Sequence, residues 1–182
     1  MRLTHYEGKE LGRIFGKHKE NIKEIEKTLN VKIEIVKNHD IKIECKGDDP
    51  LEEYLVAKVL EALALGFDVE AALMLKDTDF VLKVVDLKDF AHGSRLNVVI
   101  GRIIGKQGKS KRVIQNLSHC ALSISGHVLG LIGRAENVEI ASEAIGKLIR
   151  GAPHSNVFKF LEKSQVKLKE EERLIEDLKE DS

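Results

Sequence analysis

A short turn bounded by glycines offers the clearest chemistry in this 182-residue chain. It reads Gly105-Lys106-Gln107-Gly108 and lies between two segments whose apolar residues recur at helical spacing. Glycine has no Cβ, so another backbone can approach it closely, and the amides that begin a helix favour phosphate. Lys106 adds a mobile cation that neutralises phosphate charge. A turn of this kind is suited to holding a nucleic-acid backbone and does not read base sequence.

Basic residues are concentrated around this turn, although the chain has 30 basic and 30 acidic residues and a formal net charge of zero. Residues 90–135 contain seven basic residues and no acidic one, whereas residues 48–81 contain nine acidic residues and two basic ones. A long acid-free segment inside a neutral protein indicates a surface for phosphates. The residues expected to supply charge near the turn are Arg102, Lys106, Lys109, Lys111 and Arg112.

We expect base selection to come from an apolar groove beside the turn, because the turn itself contacts only the nucleic-acid backbone. Strand backbone and polar side chains would supply the hydrogen bonds to base edges. The candidate lining residues of this groove are Ile103, Ile104, Val113 and Leu122.

The segment that contains the turn is the second copy of an internal repeat. Residues 12–35, the first copy, align without a gap with residues 101–124, the second copy, and seven positions are identical. Two copies of this length predict two tandem domains and not a solenoid. The identities include Gly12/Gly101, Arg13/Arg102, Ile14/Ile103, Gly16/Gly105 and Lys17/Lys106.

The first copy departs from the second at the turn, where Lys19 stands at the position of Gly108. Residues 1–28 contain seven basic and five acidic residues, so the positive charge is diluted there. We therefore expect the second copy to contain the main nucleic-acid-binding site. The first copy either binds RNA weakly or packs on the second and offers a protein surface. The loop could also tolerate Lys19 with a small shift, because a lysine can direct its ammonium towards phosphate. Its weaker candidate site is Arg13, Gly16, Lys17, His18 and Lys19.

Each copy of the repeat is expected to belong to a small domain of helices and strands, which holds the turn in position. Apolar periodicity and turn residues predict the order strand, helix, helix, strand, strand, helix, with a three-stranded sheet covered by helices on one face. The predicted α+β domains span residues 1–65 and 79–150, and residues 66–78 form a linking helix. Residues 151–182 form a C-terminal helical tail. We expect this tail to be docked by its first turns and otherwise solvated, with a partner-binding helix as the alternative.

The motif I-G-K-x-G, followed by a helix and two strands, resembles the KH RNA-binding domain of eukaryotic type, and both halves of the chain share the resemblance. The stretches GRIIGKQGKSKRVIQNLS, LGLIGRAENVEIASEAI and LIRGAPHSNVFKFLE are similar to the archaeal partner-of-Nob family. This resemblance implies a two-KH-domain ribosome-assembly factor that binds near the 3′ end of precursor small-subunit ribosomal RNA. It also implies partnership with the endonuclease that matures that end and with the alpha subunit of translation initiation factor two.

Two other functions fit parts of the sequence. Gly108-Lys109-Ser110 matches the end of a P-loop of a nucleotide triphosphatase, but the glycine required five residues earlier is Ile103. A protein-interaction module without an RNA role could use the acidic first half and the C-terminal helix. RNA binding would weaken steeply as salt rises, which distinguishes it from such a module.

The remaining composition limits the class of protein. Two cysteines are too few for a disulfide framework and suit a reducing cytosol, so we expect a cytoplasmic protein. No apolar run reaches the length of a membrane span. Seven scattered histidines lack metal-ligand spacing, and we expect no catalytic residue, no metal and no cofactor. A monomer is expected.

Overall fold

The computed structural model describes residues 2–6, 8–16, 19–36, 40–45 and 50–180 of the chain. Within these ranges the chain forms six strands and eight α-helices. In chain order they are β1 (Arg2–His5), α1 (Gly8–Phe15), α2 (Glu20–Leu29), β2 (Val31–Ile35), β3 (Asp40–Cys45), α3 (Pro50–Ala64), α4 (Val69–Leu73), β4 (Phe80–Asp86), α5 (Gly93–Ile104), α6 (Lys109–Ser118), β5 (Ala121–Ser125), β6 (Val128–Arg134), α7 (Ala135–Ile149) and α8 (His154–Glu180).

The predicted order of strand, helix, helix, strand, strand and helix occurs twice, which confirms the α+β fold class and the C-terminal helix. The linking segment differs from the single helix that was predicted. It consists of α4, whose first turn is capped by the Asp68 carboxylate accepting from the Ala71 amide at 2.7 Å, and a 3-10 turn at Met74–Lys76. Helix α5 begins at Gly93, where the chain turns into it.

The first sheet has the antiparallel order β1-β3-β2, so that β2 lies at an edge. Apolar residues at period two in β2 and β3 meet the apolar faces of α1, α2 and α3. The core side chains Ile14, Ile25 and Ile43 are completely buried and belong to one apolar cluster. This packing fixes the end of α1, where the first turn begins.

The second sheet has the order β4-β6-β5, so that β5 lies at an edge and pairs antiparallel with the central strand β6. The register pairs Leu122 with Leu131. Strand β6 is buried over most of its length, as expected for a central strand rich in apolar residues.

The described chain divides into two compact units. The first unit contains residues 1–85 and 121–133, and the second contains residues 86–120 and 134–182. Contacts inside the first unit explain why β5 and β6 belong to it. The Ser123 hydroxyl donates to the Leu65 carbonyl at 2.9 Å. The Phe67 ring lies against Gly130.

The second unit consists of α5, α6, α7 and α8. Helix α8 packs on α6 and α7 through Val157 and Leu161, which are both completely buried. The buried Gln165 amide donates to the Asn137 side-chain oxygen at 2.8 Å. Beyond Leu168, the side chains of α8 are exposed as far as Leu178. The expected docking of the tail by its first turns is therefore confirmed.

The approach of Phe67 to Gly130 yields a stability prediction. A Cβ at Gly130 would lie 2.7 Å from Cε2 of Phe67, so Gly130→Ala should lower the free energy of unfolding by about 1–3 kcal/mol through overpacking. In urea denaturation, the control Gly12→Ala should be neutral or stabilising by about 0.5–1 kcal/mol, because alanine favours a helix interior. No described atom lies within 4 Å of a Cβ at Gly12. Equal stability of the two variants would contradict this packing.

Candidate nucleic-acid interface

The second turn adopts a backbone shape that glycine makes possible. Gly105 ends α5 with φ 72° and ψ 174°, and Gly108 precedes α6 with φ 74° and ψ 11°. Gln107 is also left-handed, with φ 53°. The Gly105 amide donates to the Gly101 carbonyl at 2.8 Å, and the Gly108 amide donates to the Gly105 carbonyl at 3.2 Å. These bonds fix a tight turn between the two helices.

The first glycine of the turn is required by a close contact with Ser110. A Cβ at Gly105 would lie 2.6 Å from the Ser110 Cβ and 2.8 Å from the Ser110 amide nitrogen. The Ser110 hydroxyl is buried, and it has no hydrogen-bond partner among the described residues. The sequence analysis did not single out Ser110 as a positioning residue. The signal was present in the repeat, because Asn21 occupies the aligned position and a Cβ at Gly16 would lie 2.8 Å from its Cγ.

Positive charge and free helix amides surround the second turn. Lys106, Lys109 and Arg112 are exposed, and Lys111 is half-buried. The Arg112 guanidinium donates to the Gln107 carbonyl at 3.3 Å and so also supports the turn. Gly108 provides no side chain to cap α6, so that beyond the Lys109 amide, which donates to the Lys106 carbonyl, the amides of the first helical turn have no side-chain cap and suit an anion. The arrangement can hold a phosphate without any catalytic group.

Arg102 has a different role from the one expected. Its guanidinium donates to the Leu148 carbonyl at 3.2 Å and to the Ala152 carbonyl at 2.5 Å, beyond the end of α7. The Arg102 carbonyl accepts a 2.9 Å hydrogen bond from Nε2 of His154 at the start of α8. A cation at a helix C-terminus satisfies carbonyls that have no helical partner. Arg102 therefore ties three helices together, contrary to the expectation that its guanidinium supplies charge to phosphate.

Arg13, the aligned arginine of the first copy, makes the equivalent kind of contact. Its Nη1 donates to the carbonyl of Ala64, the last residue of α3, at 2.9 Å and to the Ser125 hydroxyl at 2.7 Å. The identity of Arg13 and Arg102 in the repeat thus reflects a shared structural contact. Arg13 was expected in the weaker RNA site, and its guanidinium is instead engaged with its own chain.

The apolar candidates divide into buried and accessible residues. Ile103 is completely buried and Leu122 is 3% exposed, so neither side chain offers a surface to a base, contrary to expectation. Ile104 and Val113 are half-buried and keep accessible surface. Burial of Ile103 follows from its place on the inward face of α5, where the sequence analysis could not separate core from groove.

The turn of the first copy keeps the backbone conformation of the second at the positions that the structure describes. Gly16 has φ 64° and Lys19 has φ 60°, against 72° for Gly105 and 74° for Gly108. Lys17 and His18 lie outside the described residues. The lysine therefore occupies a left-handed conformation that glycine adopts without strain.

Other reactive groups offer no competing site in the part of the chain that the structure describes. Burial raises the pKa of the Cys120 thiol to about 11, although a side-chain hydrogen bond with Ser118 acts in the opposite direction. The thiol is therefore protonated and unsuited to nucleophilic attack. Among these residues no cluster of three His, Cys, Asp or Glu side chains could hold a metal. No helix within the described ranges has the length and apolar character of a membrane span.

Comparison with known proteins agrees with this architecture. Residues 7–58 match the KH domain, and residues 81–166 match the eukaryotic-type KH domain (KH-domain type I). The chain is 38% identical over 162 residues to KH domain-containing protein MJ0443 of Methanocaldococcus jannaschii, and the match covers 87% of this chain and 71% of that protein. The chain belongs to the archaeal partner-of-Nob family of two-KH-domain proteins.

Relatives of this two-KH family extend beyond archaea. Over 115 residues the chain is 33% identical to pre-rRNA-processing protein pno1 of Emericella nidulans, which covers 61% of this chain and 45% of the fungal protein. The chain thus spans less than half of that relative. Among solved structures, the a/eIF2alpha–aDim2p–rRNA complex from Pyrococcus horikoshii OT3 matches with a TM-score of 0.79 and 31% identity, covering 89% of this chain and 92% of that chain.

The left-handed lysine yields a second prediction. Lys19→Gly should raise the free energy of unfolding by about 1 kcal/mol, because glycine relieves the steric cost of φ 60°. Asn30 also has positive φ, but asparagine tolerates this conformation, so Asn30→Gly should gain less than about half as much. Urea denaturation measures both changes. A loss of stability in Lys19→Gly would show that the lysine side chain makes a contact worth more than the strain.

The contacts of Arg102 yield a third prediction. Arg102→Ala should lower the free energy of unfolding by about 2 kcal/mol, because two carbonyls lose a charged donor. Lys106→Ala removes the same charge from an exposed position and should change stability by less than about 0.5 kcal/mol. Thermal or urea denaturation compares the two variants. Unchanged stability of Arg102→Ala would restore the original expectation that this guanidinium serves the RNA.

Proposed function

We propose that this chain is a non-catalytic protein that binds single-stranded RNA and acts in the assembly of the small ribosomal subunit. The observation that carries the proposal is the exposed turn from Gly105 to Gly108, which joins left-handed glycine backbone, uncapped helix amides and cations at one place. Its site is the one expected of a KH domain, which clamps about four nucleotides by their backbone.

The turn would hold RNA in a defined way. Phosphates approach the glycines and the first amides of α6, where Lys106 and Lys109 neutralise their charge. Arg112 contributes charge and also keeps the Gln107 carbonyl in place. Ile104 and Val113 supply the accessible apolar surface for bases. None of these side chains is aromatic, so base stacking adds little affinity here.

The names of two relatives support rRNA as the ligand and the alpha subunit of initiation factor two as a partner. The Pyrococcus horikoshii protein is described in a complex with rRNA and a/eIF2alpha, and the Emericella nidulans protein is a pre-rRNA-processing protein. We also assign to this chain, as the family resemblance implies, the 3′ region of precursor small-subunit rRNA as ligand. The alpha subunit of translation initiation factor two and the 3′-end endonuclease are its proposed protein partners. Domain limits at residues 1–65 and 79–150, a monomeric state and a cytoplasmic location complete the proposal.

A surface of the first unit favours protein contact as a second function. A cavity of about 350 Å³ lies between α3 and the start of β4. Leu51 and Tyr54 on its rim are each 51% exposed, and Val81 also reaches solvent. Exposed apolar surface beside acidic residues is typical of a protein-binding site. This surface is compatible with RNA binding by the second copy, since different residues carry the two.

The turn yields a fourth prediction. Replacing Lys106 and Gln107 by aspartates should weaken binding of 3′-end rRNA oligonucleotides by at least about tenfold, because negative charge replaces the phosphate-binding cation. The slope of affinity against salt concentration should also become shallower. Fluorescence anisotropy over a salt series measures both quantities, and circular dichroism checks the fold.

A matched variant controls for overall charge. Val166 and Lys167 are exposed neighbours on α8, and replacing both by aspartates changes the net charge by the same amount. We expect this variant to bind RNA within about threefold of the wild type. Equal loss in both double variants, or unchanged binding in the Lys106 and Gln107 variant, would refute the assignment of this turn.

A further inference from the structure

We infer that Glu26 prevents the first copy of the repeat from taking RNA, because its carboxylate occupies the strand edge that a nucleobase would use. The altered turn at Lys19 is not the deciding difference. This inference rests on the proposed RNA-binding function, since it assumes that the two copies share one mode of recognition. It assigns a specificity-determining role to a residue outside the glycine turn.

The observation is a hydrogen bond between helix α2 and the edge of the first sheet. The Ile33 amide donates to Oε1 of Glu26 at 2.8 Å. Ile33 lies on β2, whose other edge is paired with β3. The amide therefore points away from the sheet, towards α2. The amides along an edge strand are the donors that an incoming ligand can use.

Glu26 changes this edge in two ways. Its carboxylate consumes a backbone donor, and a bond to an ionised acceptor is stronger than one between neutral groups. It also places a negative charge at the point where an RNA strand would bring its phosphates and base acceptors. Glu26 is half-buried, so its charge is screened less than that of the exposed Glu24 on the same helix.

The second copy lacks this carboxylate. Gln115 occupies the position of Glu26 in the gap-free alignment, and Leu122 occupies that of Ile33. Strand β5, which carries Leu122, is also at the edge of its sheet. Both copies therefore have an edge strand at the same place in the repeat. They differ in the aligned helix residue, which is the charged Glu26 in the first copy and the neutral Gln115 in the second.

The turn itself is a poor candidate for the difference between the copies. Gly16 and Lys19 have nearly the same φ values as Gly105 and Gly108. Residues 30 and 119, which end the following helices, are also both left-handed, with φ 53° and 54°. The φ values of the turn are thus retained in the first copy at the described positions, while the Ile33 amide on the strand edge is occupied by Glu26.

The test begins with a chain whose second copy is silenced by aspartates at positions 106 and 107. In this background, Glu26→Ala should strengthen binding of a fluorescein-labelled, mixed-sequence single-stranded RNA by roughly tenfold at low salt, measured by fluorescence anisotropy. Glu26→Gln removes the charge but keeps an acceptor for Ile33, so its gain should be smaller. Lys19→Gly should give no gain above about twofold, because the strand edge stays occupied.

Glu24→Ala is the matched control, because it removes one negative charge from an exposed position of the same helix. We expect it to change RNA affinity by less than about twofold. Amide hydrogen exchange provides an independent readout, since the Ile33 amide should exchange faster in Glu26→Ala while the melting temperature shows a folded protein. If Glu26→Ala does not fold, Glu26→Lys replaces it, with an equal or larger gain expected.

The outcomes separate this inference from the proposed function. Absence of a gain in the folded Glu26 variants, or an equal gain in Glu24→Ala, would overturn the role of Glu26. A gain in RNA affinity in Lys19→Gly that equals the gain in Glu26→Ala would show that the turn, and not Glu26, determines whether the first copy binds RNA. Failure of the proposed function has a different signature, because the wild-type chain would then not bind RNA or would bind it equally well with both aspartates present.

Discussion

The contact between the first glycine of each turn and the residue five positions later constrains the rest of the site. At Gly105 there is no room for a Cβ beside Ser110, and at Gly16 there is none beside Asn21. The helix that follows can therefore begin close to the end of the helix before it. Because the two glycines of the second turn have no side chains, backbone amides and neighbouring cations become the exposed chemistry. A bulkier residue would separate the helices and remove the anion site.

Most of the architecture could be predicted because the relevant signals are local. Period-two apolar residues define β2 and β5, helical spacing defines α2 and α6, and the repeat confirms each assignment by its second copy. The roles of Arg102 and Ile103 could not be predicted in this way. The local sequence of an arginine next to a glycine turn is the same whether its guanidinium faces phosphate or caps a distant helix. The partner carbonyl of Arg102 lies 46 residues away in sequence, at Leu148.

Glu26 illustrates a different limit of sequence analysis. A glutamate among Glu20, Glu24 and several lysines has the pattern of a solvated helix face, and the sequence analysis counted it only as diluting charge. Its contact with the Ile33 amide depends on how α2 lies over the edge of β2. That arrangement depends on tertiary packing, so the charge of Glu26 could be read from the sequence but its position against the strand edge could not. Comparison of aligned positions between the copies is the feature that could have exposed it.

The composition of the first unit from two separated stretches has a consequence for how the protein is made. Residues 121–133 pack against residues 1–85, since Gly130 lies against the Phe67 ring and the Ser123 hydroxyl donates to the Leu65 carbonyl. The ribosome synthesises residues 1–85 first, and the Phe67 ring lacks its contact with Gly130 while 35 further residues, 86–120, are synthesised. Translation speed over that interval therefore sets how long the nascent chain is open to chaperones.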